Sequence, residues 1–265
     1  MADQKKYSAK LLNSRILIIG GSSGIGYAIA EACIESGAIV TISSSNPTRV
    51  KSAVDSLKAS YPSSTSKIRG LAVDLAHAGT LESSLEKLLN DTVQELSDNK
   101  LDHVIFTAGD TLSMMPISEM TMPKILQAGQ IRFFAPLLLA KFMPQYLVQS
   151  HRSSYIITTG SISEKPMPNW SVIGAFAGGH HAMVRNLALD LKPIRVNGVS
   201  PGVVDTELWK MEKEEKDGFL KACAEKMATG VPGRPEEVAE SFLAILKDGN
   251  MDAAIIRTDG GVMIM

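Results

Sequence analysis

The seven residues Gly20-Gly21-Ser22-Ser23-Gly24-Ile25-Gly26 carry the first chemistry legible in this chain. They follow the apolar run Arg15 to Ile19 and open a helical pattern. A glycine-rich turn between strand and helix lets backbone N–H groups close on a pyrophosphate, where a Cβ would block the approach. Gly20, Ser22, Ser23, Gly24, Ile25 and Gly26 are therefore expected to hold a dinucleotide. The next strand pattern ends in Ser43, Ser44, Ser45 and Asn46, with Arg49 close behind. No carboxylate stands there to repel a 2′-phosphate, whereas hydroxyls and a guanidinium bind one. Ser44, Ser45, Asn46 and Arg49 are expected to select NADPH over NADH. The alternative for Arg49 is a helix start solvated by a charge.

A second set of residues is notable for its neighbours. Arg132 lies between Gly129-Gln130-Ile131 and Phe133-Phe134, an apolar setting for a cation. An unpaired buried charge is costly, so Arg132 is expected to meet an anion, a cofactor or a substrate; the alternative is a surface ion pair. His180 and His181 are adjacent on one helical pattern, so both cannot face one site, and packing or subunit contact is expected. Cys33 and Cys223 have no metal-ligand spacing, and no metal site is expected. Cys33 sits in an apolar stretch and is expected to be buried. The five tyrosines are Tyr7, Tyr27, Tyr61, Tyr146 and Tyr155, and none has a lysine four residues on.

The elements that must position these residues follow from periodicity. The chain has 265 residues, 45% apolar and 21% charged, which fits one domain over 1–265. Strands are expected at 15–19, 38–42, 70–73, 102–106, 154–158, 194–199 and 253–257. Helices are expected near 24–36, 47–60, 79–97, 118–129, 131–149, 174–191, 207–228 and 235–247. Short Ile- and Val-rich runs alternating with amphipathic stretches imply an α/β fold, a doubly wound parallel sheet of Rossmann type. The net charge of −1 argues against nucleic acid or an anionic membrane as partner. No apolar run reaches the roughly 20 residues of a membrane span. The opening MADQKKYSAK lacks an apolar signal region, so a cytoplasmic protein is expected.

Taken together, the motifs resemble the short-chain dehydrogenase/reductase family. The resemblance rests on GGSSGIG (20–26), VDL (73–75), FTAG (106–109), RVNGVSPGVVDTELW (195–209), GRPEEVA (233–239) and TDGG (258–261), in the family's order. It implies that Asp74 and Leu75 contact adenine. It also implies that Ala108 and Gly109 lie beside the cofactor, and that Pro201, Gly202, Val204 and Thr206 hold the nicotinamide end. TTGSIS (158–163) matches the segment of the family's catalytic serine, making Ser161 the candidate and Ser163 the reserve. Helices 118–149 and 174–191 are then implied to form a homodimer or homotetramer.

The family's Tyr-x-x-x-Lys pair is missing. Aligning LALDL (187–191) with the family's L-A-x-E-L places Ile173 and Ala177 at those positions; at the family's asparagine position, anchoring on Pro136 gives Arg132 and anchoring on Pro144 gives Ile131. The Tyr7-Ser-Ala-Lys10 stretch has the wrong spacing and location. Three readings stay open: hydride transfer to an iminium, which needs no proton donor; binding without turnover; or carbonyl reduction with a relocated acid. Residues 165–209 resemble atypical fungal members acting in prenylated indole alkaloid pathways of the malbrancheamide and paraherquamide type. That resemblance implies NADPH-dependent reduction of an iminium coupled to an intramolecular [4+2] cycloaddition of an apolar polycyclic substrate. Arg132 and Trp170 are the implied substrate-site residues. The subgroup's loop carboxylate is absent from Lys165-Pro166-Met167-Pro168-Asn169, and Asp110 is the expected substitute. Met114, Met115, Met167, Trp170, Ile173, Phe176, Val204 and Trp209 are expected to line the site. The charge run 210–218 is expected to be a solvated helix face covering it.

Overall fold

The computed structural model describes residues 4–265. Seven strands form one fully parallel sheet: β1 (Arg15–Ile19), β2 (Ile39–Ser44), β3 (Ile68–Ala72), β4 (His103–Phe106), β5 (Ser154–Thr158), β6 (Arg195–Pro201) and β7 (Ile255–Thr258). Their spatial order is β3-β2-β1-β4-β5-β6-β7. The chain winds outward from β1 in one direction and then from β4 in the other. The two halves part between β1 and β4, where Ile19 pairs with Phe106 and the strand ends leave a crevice.

Both faces of the sheet are buried. Along β1, Leu17 and Ile19 join one core while Ile16 and Ile18 join the other, the period of two that a pleated strand imposes. Helices α1 (Gly24–Glu35), α2 (Pro47–Ser60) and α9 (Pro235–Lys247) cover one face through Ile29, Leu57 and Phe242. Helices α3 (Leu81–Val93), α5 (Ala135–Ala140) and α7 (Ser171–Asp190) cover the other through Leu85, Leu139 and Val184. Each of these six side chains is fully buried. Truncating one to alanine costs about 2–5 kcal/mol. Cys33 packs in the first of these cores, where burial pushes its thiol up to about 12.

Two expected helices differ from expectation. The helix expected over 118–129 is found as α4 (Met122–Gly129), but the one expected over 131–149 is broken into a widened π turn over Gln130–Phe134, α5, and the single turn α6 (Met143–Tyr146). Pro136 and Pro144 each sit at a helix start, where a missing N–H does no harm. The stretch expected from 207 becomes helical only as α8 (Lys213–Ala224). Ahead of it, Trp209 is pinned by its indole N–H to the Val204 carbonyl at 2.8 Å. Among the described residues, no helix is long and apolar enough to cross a membrane.

Candidate active site

A cleft of about 560 Å³ opens at the carboxyl ends of the strands, over the parting of β1 and β4. Its first wall is the turn from β1 into α1. Gly20 has φ +98°, and a Cβ there would lie 2.5 Å from the Ala108 nitrogen. A Cβ on Gly26 would lie 2.2 Å from the Gly20 carbonyl oxygen. Only glycine permits so tight a turn, which leaves backbone N–H groups open at the helix start. The arrangement fits a dinucleotide pyrophosphate.

Most residues expected at the cofactor do line this cleft: Gly20, Ser22, Ser23, Gly24, Ile25, Gly26, Ser44, Ser45, Arg49, Leu75, Ala108, Gly109, Pro201, Gly202, Val204 and Thr206. Two do not. Asn46 caps α2, its side-chain oxygen accepting from the Arg49 N–H at 3.0 Å. The side chain that would reach the ribose is thus committed to a helix start, a contact worth about 1 kcal/mol. Asp74 turns to its own loop, accepting from the Ala76 N–H at 2.9 Å, while Val73 and Leu75 line the cleft.

The far end of the cleft holds the residues expected to act on substrate. Arg132, Ser161, Trp170 and Asp110 all line it. The π turn carries Arg132 inward. Its guanidinium lies on the backbone of Gly109, where a Cβ would meet Cζ and both terminal nitrogens at 2.8 Å. Arg132 Nε donates to Asp110 Oδ1 at 3.1 Å, and Nη2 donates to the Asp110 carbonyl oxygen. The surface ion pair is thereby replaced by a pair inside the cleft. Burial pulls the Arg132 pKa down and Asp110 opposes that shift. A half-buried cation is thus neutralised at the site. Phe133, Phe134 and Phe176 pack edge and face around the turn and hold its wider backbone in place.

Ile173, Phe176, Ala177 and His180 form the α7 side of the cleft, the spacing of one helix face. No tyrosine lines the cleft among the described residues, and its one lysine, Lys210, donates to Thr111 Oγ1 at 3.1 Å. Tyr155 is fully buried under Pro136, and Tyr7 is exposed far from the strand ends that form the cleft. Met167, Trp170, Val204 and Trp209 line it as expected; Met114 and Met115 do not. Met115 packs instead against Ala128 and Val172. From the charge run only Lys210 reaches the cleft, so α8 itself does not cover it. Ser163 is absent from the lining and its hydroxyl is buried without a partner.

Sequence reasoning missed His180 and Thr158. Adjacency with His181 pointed to packing, yet His180 lines the cleft. The signal was present, since His180 follows Ile173 by two helical turns. Thr158, at the end of β5, carries no local signal at all.

The family model described as an SDR-like Rossmann domain matches residues 7–265. The chain belongs to the short-chain dehydrogenase/reductase family. It is an oxidoreductase fold of a family that uses NAD(P). The chain is 40% identical to the short-chain dehydrogenase/reductase fsr5 of Gibberella fujikuroi, across 100% of both chains. It is 37% identical to the short-chain dehydrogenase/reductase malC of Malbranchea aurantiaca, again across 100% of both. The solved MalC reductase/Diels-Alderase from the same fungus superposes with a TM-score of 0.91, over 98% of this chain and 100% of that one. The two residues expected at the family's Tyr and Lys positions, Ile173 and Ala177, both line one wall of the cleft.

Proposed function

We propose that this protein uses NADPH to reduce an iminium in an apolar polycyclic precursor and guides an intramolecular [4+2] cycloaddition of the product. The observation that carries this reading is the wall formed by Ile173 and Ala177, where the family places a proton donor and the lysine that assists it. When bound, a dihydronicotinamide supplies a hydride. Hydride addition to a ketone leaves an alkoxide that demands a proton, whereas addition to an iminium leaves a neutral amine. A wall of Ile173 and Ala177 serves the second case and adds no cation to repel the substrate. Asp110 neutralises Arg132, and Trp170 offers an aromatic face on which a cation can rest. Met167, Phe176 and Trp209 supply the apolar, shaped surface that folding a flexible substrate requires. The likeness to the MalC reductase/Diels-Alderase supports the same reading.

Selection of NADPH rests on Ser44, Ser45 and Arg49 at the ribose end of the cleft. Self-association rests on exposed apolar side chains: Met122 and Leu126 of α4, Leu137 of α5 and Leu189 of α7. Sedimentation at micromolar concentration is expected to show a homodimer or homotetramer.

NADPH absorbance with a panel of cyclic iminiums and ketones tests the reaction. Oxidation with iminiums and not with ketones is expected. Oxidation with ketones alone points to a carbonyl reductase whose acid is Ser161 or water. Oxidation with neither points to a binding protein.

A further inference from the structure

Two polar side-chain atoms of the cleft wall are buried with no partner in the protein, His180 Nδ1 and Thr158 Oγ1. His180 is 4% exposed. Its Nε2 lies 2.8 Å from the Arg132 carbonyl oxygen. A carbonyl can only accept, so Nε2 carries the hydrogen and Nδ1 keeps a free lone pair. The ring is held in that orientation by stacking on Phe133, with centroids 5.6 Å apart and planes 21° apart. One turn earlier on the same face stands Ala177, which lines the cleft beside it with no polar side chain to pair with the ring. Native proteins seldom leave a buried acceptor unpaired, and such atoms call for a ligand or a function.

We propose that His180 is a substrate-positioning residue whose Nδ1 accepts a hydrogen bond from an N–H or O–H of the bound polycycle, with the Thr158 hydroxyl as a second polar contact. The inference rests on the reading of the cleft as a site for a cationic polycycle and adds which polycycles it takes: those with a free donor, such as an unsubstituted indole. Burial lowers the His180 pKa to about 4, so the imidazole is neutral near pH 7 and adds no charge that would repel a cation. A site built around such an acceptor discriminates against a ligand that cannot satisfy it, because the buried lone pair is then left unpaired.

The test uses binding, not turnover. The probes are 1-methyl-3,4-dihydro-β-carbolinium and its indole N-methyl analogue, each titrated into protein saturated with NADP⁺. The wild type is expected to bind the N–H probe about five- to tenfold more tightly than the N-methyl probe. In His180→Gln, which retains a donor for the Arg132 carbonyl, the preference is expected to fall to about unity while NADP⁺ affinity stays unchanged. An equal preference in both proteins, no preference in the wild type, or no binding of either probe overturns the proposal. If His180→Gln does not fold, the ¹⁵N shift of wild-type His180 Nδ1 reads the same contact. It should move upfield with the N–H probe and not with the N-methyl probe, and equal shifts with both overturn it. Discrimination in binding without any NADPH oxidation keeps the positioning role and removes the reductase reading.

Discussion

Arg132 and Asp110, 22 residues apart in the chain, meet inside the cleft with Nε and Oδ1 at 3.1 Å. Arg132 also donates to the Asp110 carbonyl, so side chain and backbone of one residue both hold the guanidinium. The pair places a cation in the cleft wall and offsets its charge there.

Breaking the pair from the acidic side should hurt both stability and substrate binding. Asp110→Ala is expected to lower stability by about 1–2 kcal/mol, since both side chains keep some solvent contact. The freed guanidinium should raise the KM of a cationic substrate about tenfold, the repulsion of two charges at mid-range in a half-wet site. Adding Arg132→Leu to Asp110→Ala should restore most of the stability. Urea melts and steady-state kinetics of the three variants check this.

Arg49 sets the second prediction. Its side chain lines the cleft beside Ser44 and Ser45. Arg49→Ala is expected to weaken NADPH binding about 10- to 100-fold, the loss of one charge-assisted phosphate contact, with NADH binding unchanged. Calorimetric titration with both nucleotides separates this role from simple solvation of α2.

Gly26 should tolerate no side chain. With the Gly20 carbonyl only 2.2 Å from where a Cβ would stand, Gly26→Ala must push the turn open. About 1–3 kcal/mol of stability is expected to go, and nucleotide affinity should fall at least about tenfold. A thermal melt with and without NADPH reads both, and an unchanged ligand-induced rise in Tm would refute it.

Acid should destabilise the protein through two histidines. Burial holds His103 and His180 at about 4 in the folded chain, against an ordinary 6.5. Below about pH 6.5 the unfolded chain gains protons that the native one refuses, so stability falls as pH drops from there to about 4. Each histidine contributes a slope of about 1.4 kcal/mol per pH unit across that window. His103→Gln and His180→Gln should each flatten the slope measured by urea melts between pH 7 and pH 4.5.

Much of the fold was legible because strands and helices announce themselves locally. The run Arg15–Ile19 matches β1, Ser154–Thr158 matches β5, and Pro47–Ser60 and Pro235–Lys247 match α2 and α9. Where expectation failed, a local signal had two meanings. Asn46 is a good ribose ligand and a good helix cap, and its own helix claimed it. The run 131–149 keeps a helical pattern, but prolines and the π turn divide it.

By itself, the order of residues determined the alternation of strand and helix and the glycine turn. These follow from backbone sterics and hydrophobic period, both of which act over a few residues. Only the tertiary structure decided that Arg132 meets Asp110, that His180 rather than His181 turns to the cleft, and that Thr158 joins it there. Those outcomes depend on how far a π turn rotates a side chain and which face of α7 packs on the sheet. Such rotations are set by contacts of Phe133 with Phe176 and of Arg132 with Gly109, residues distant in sequence that meet only once the cores have closed.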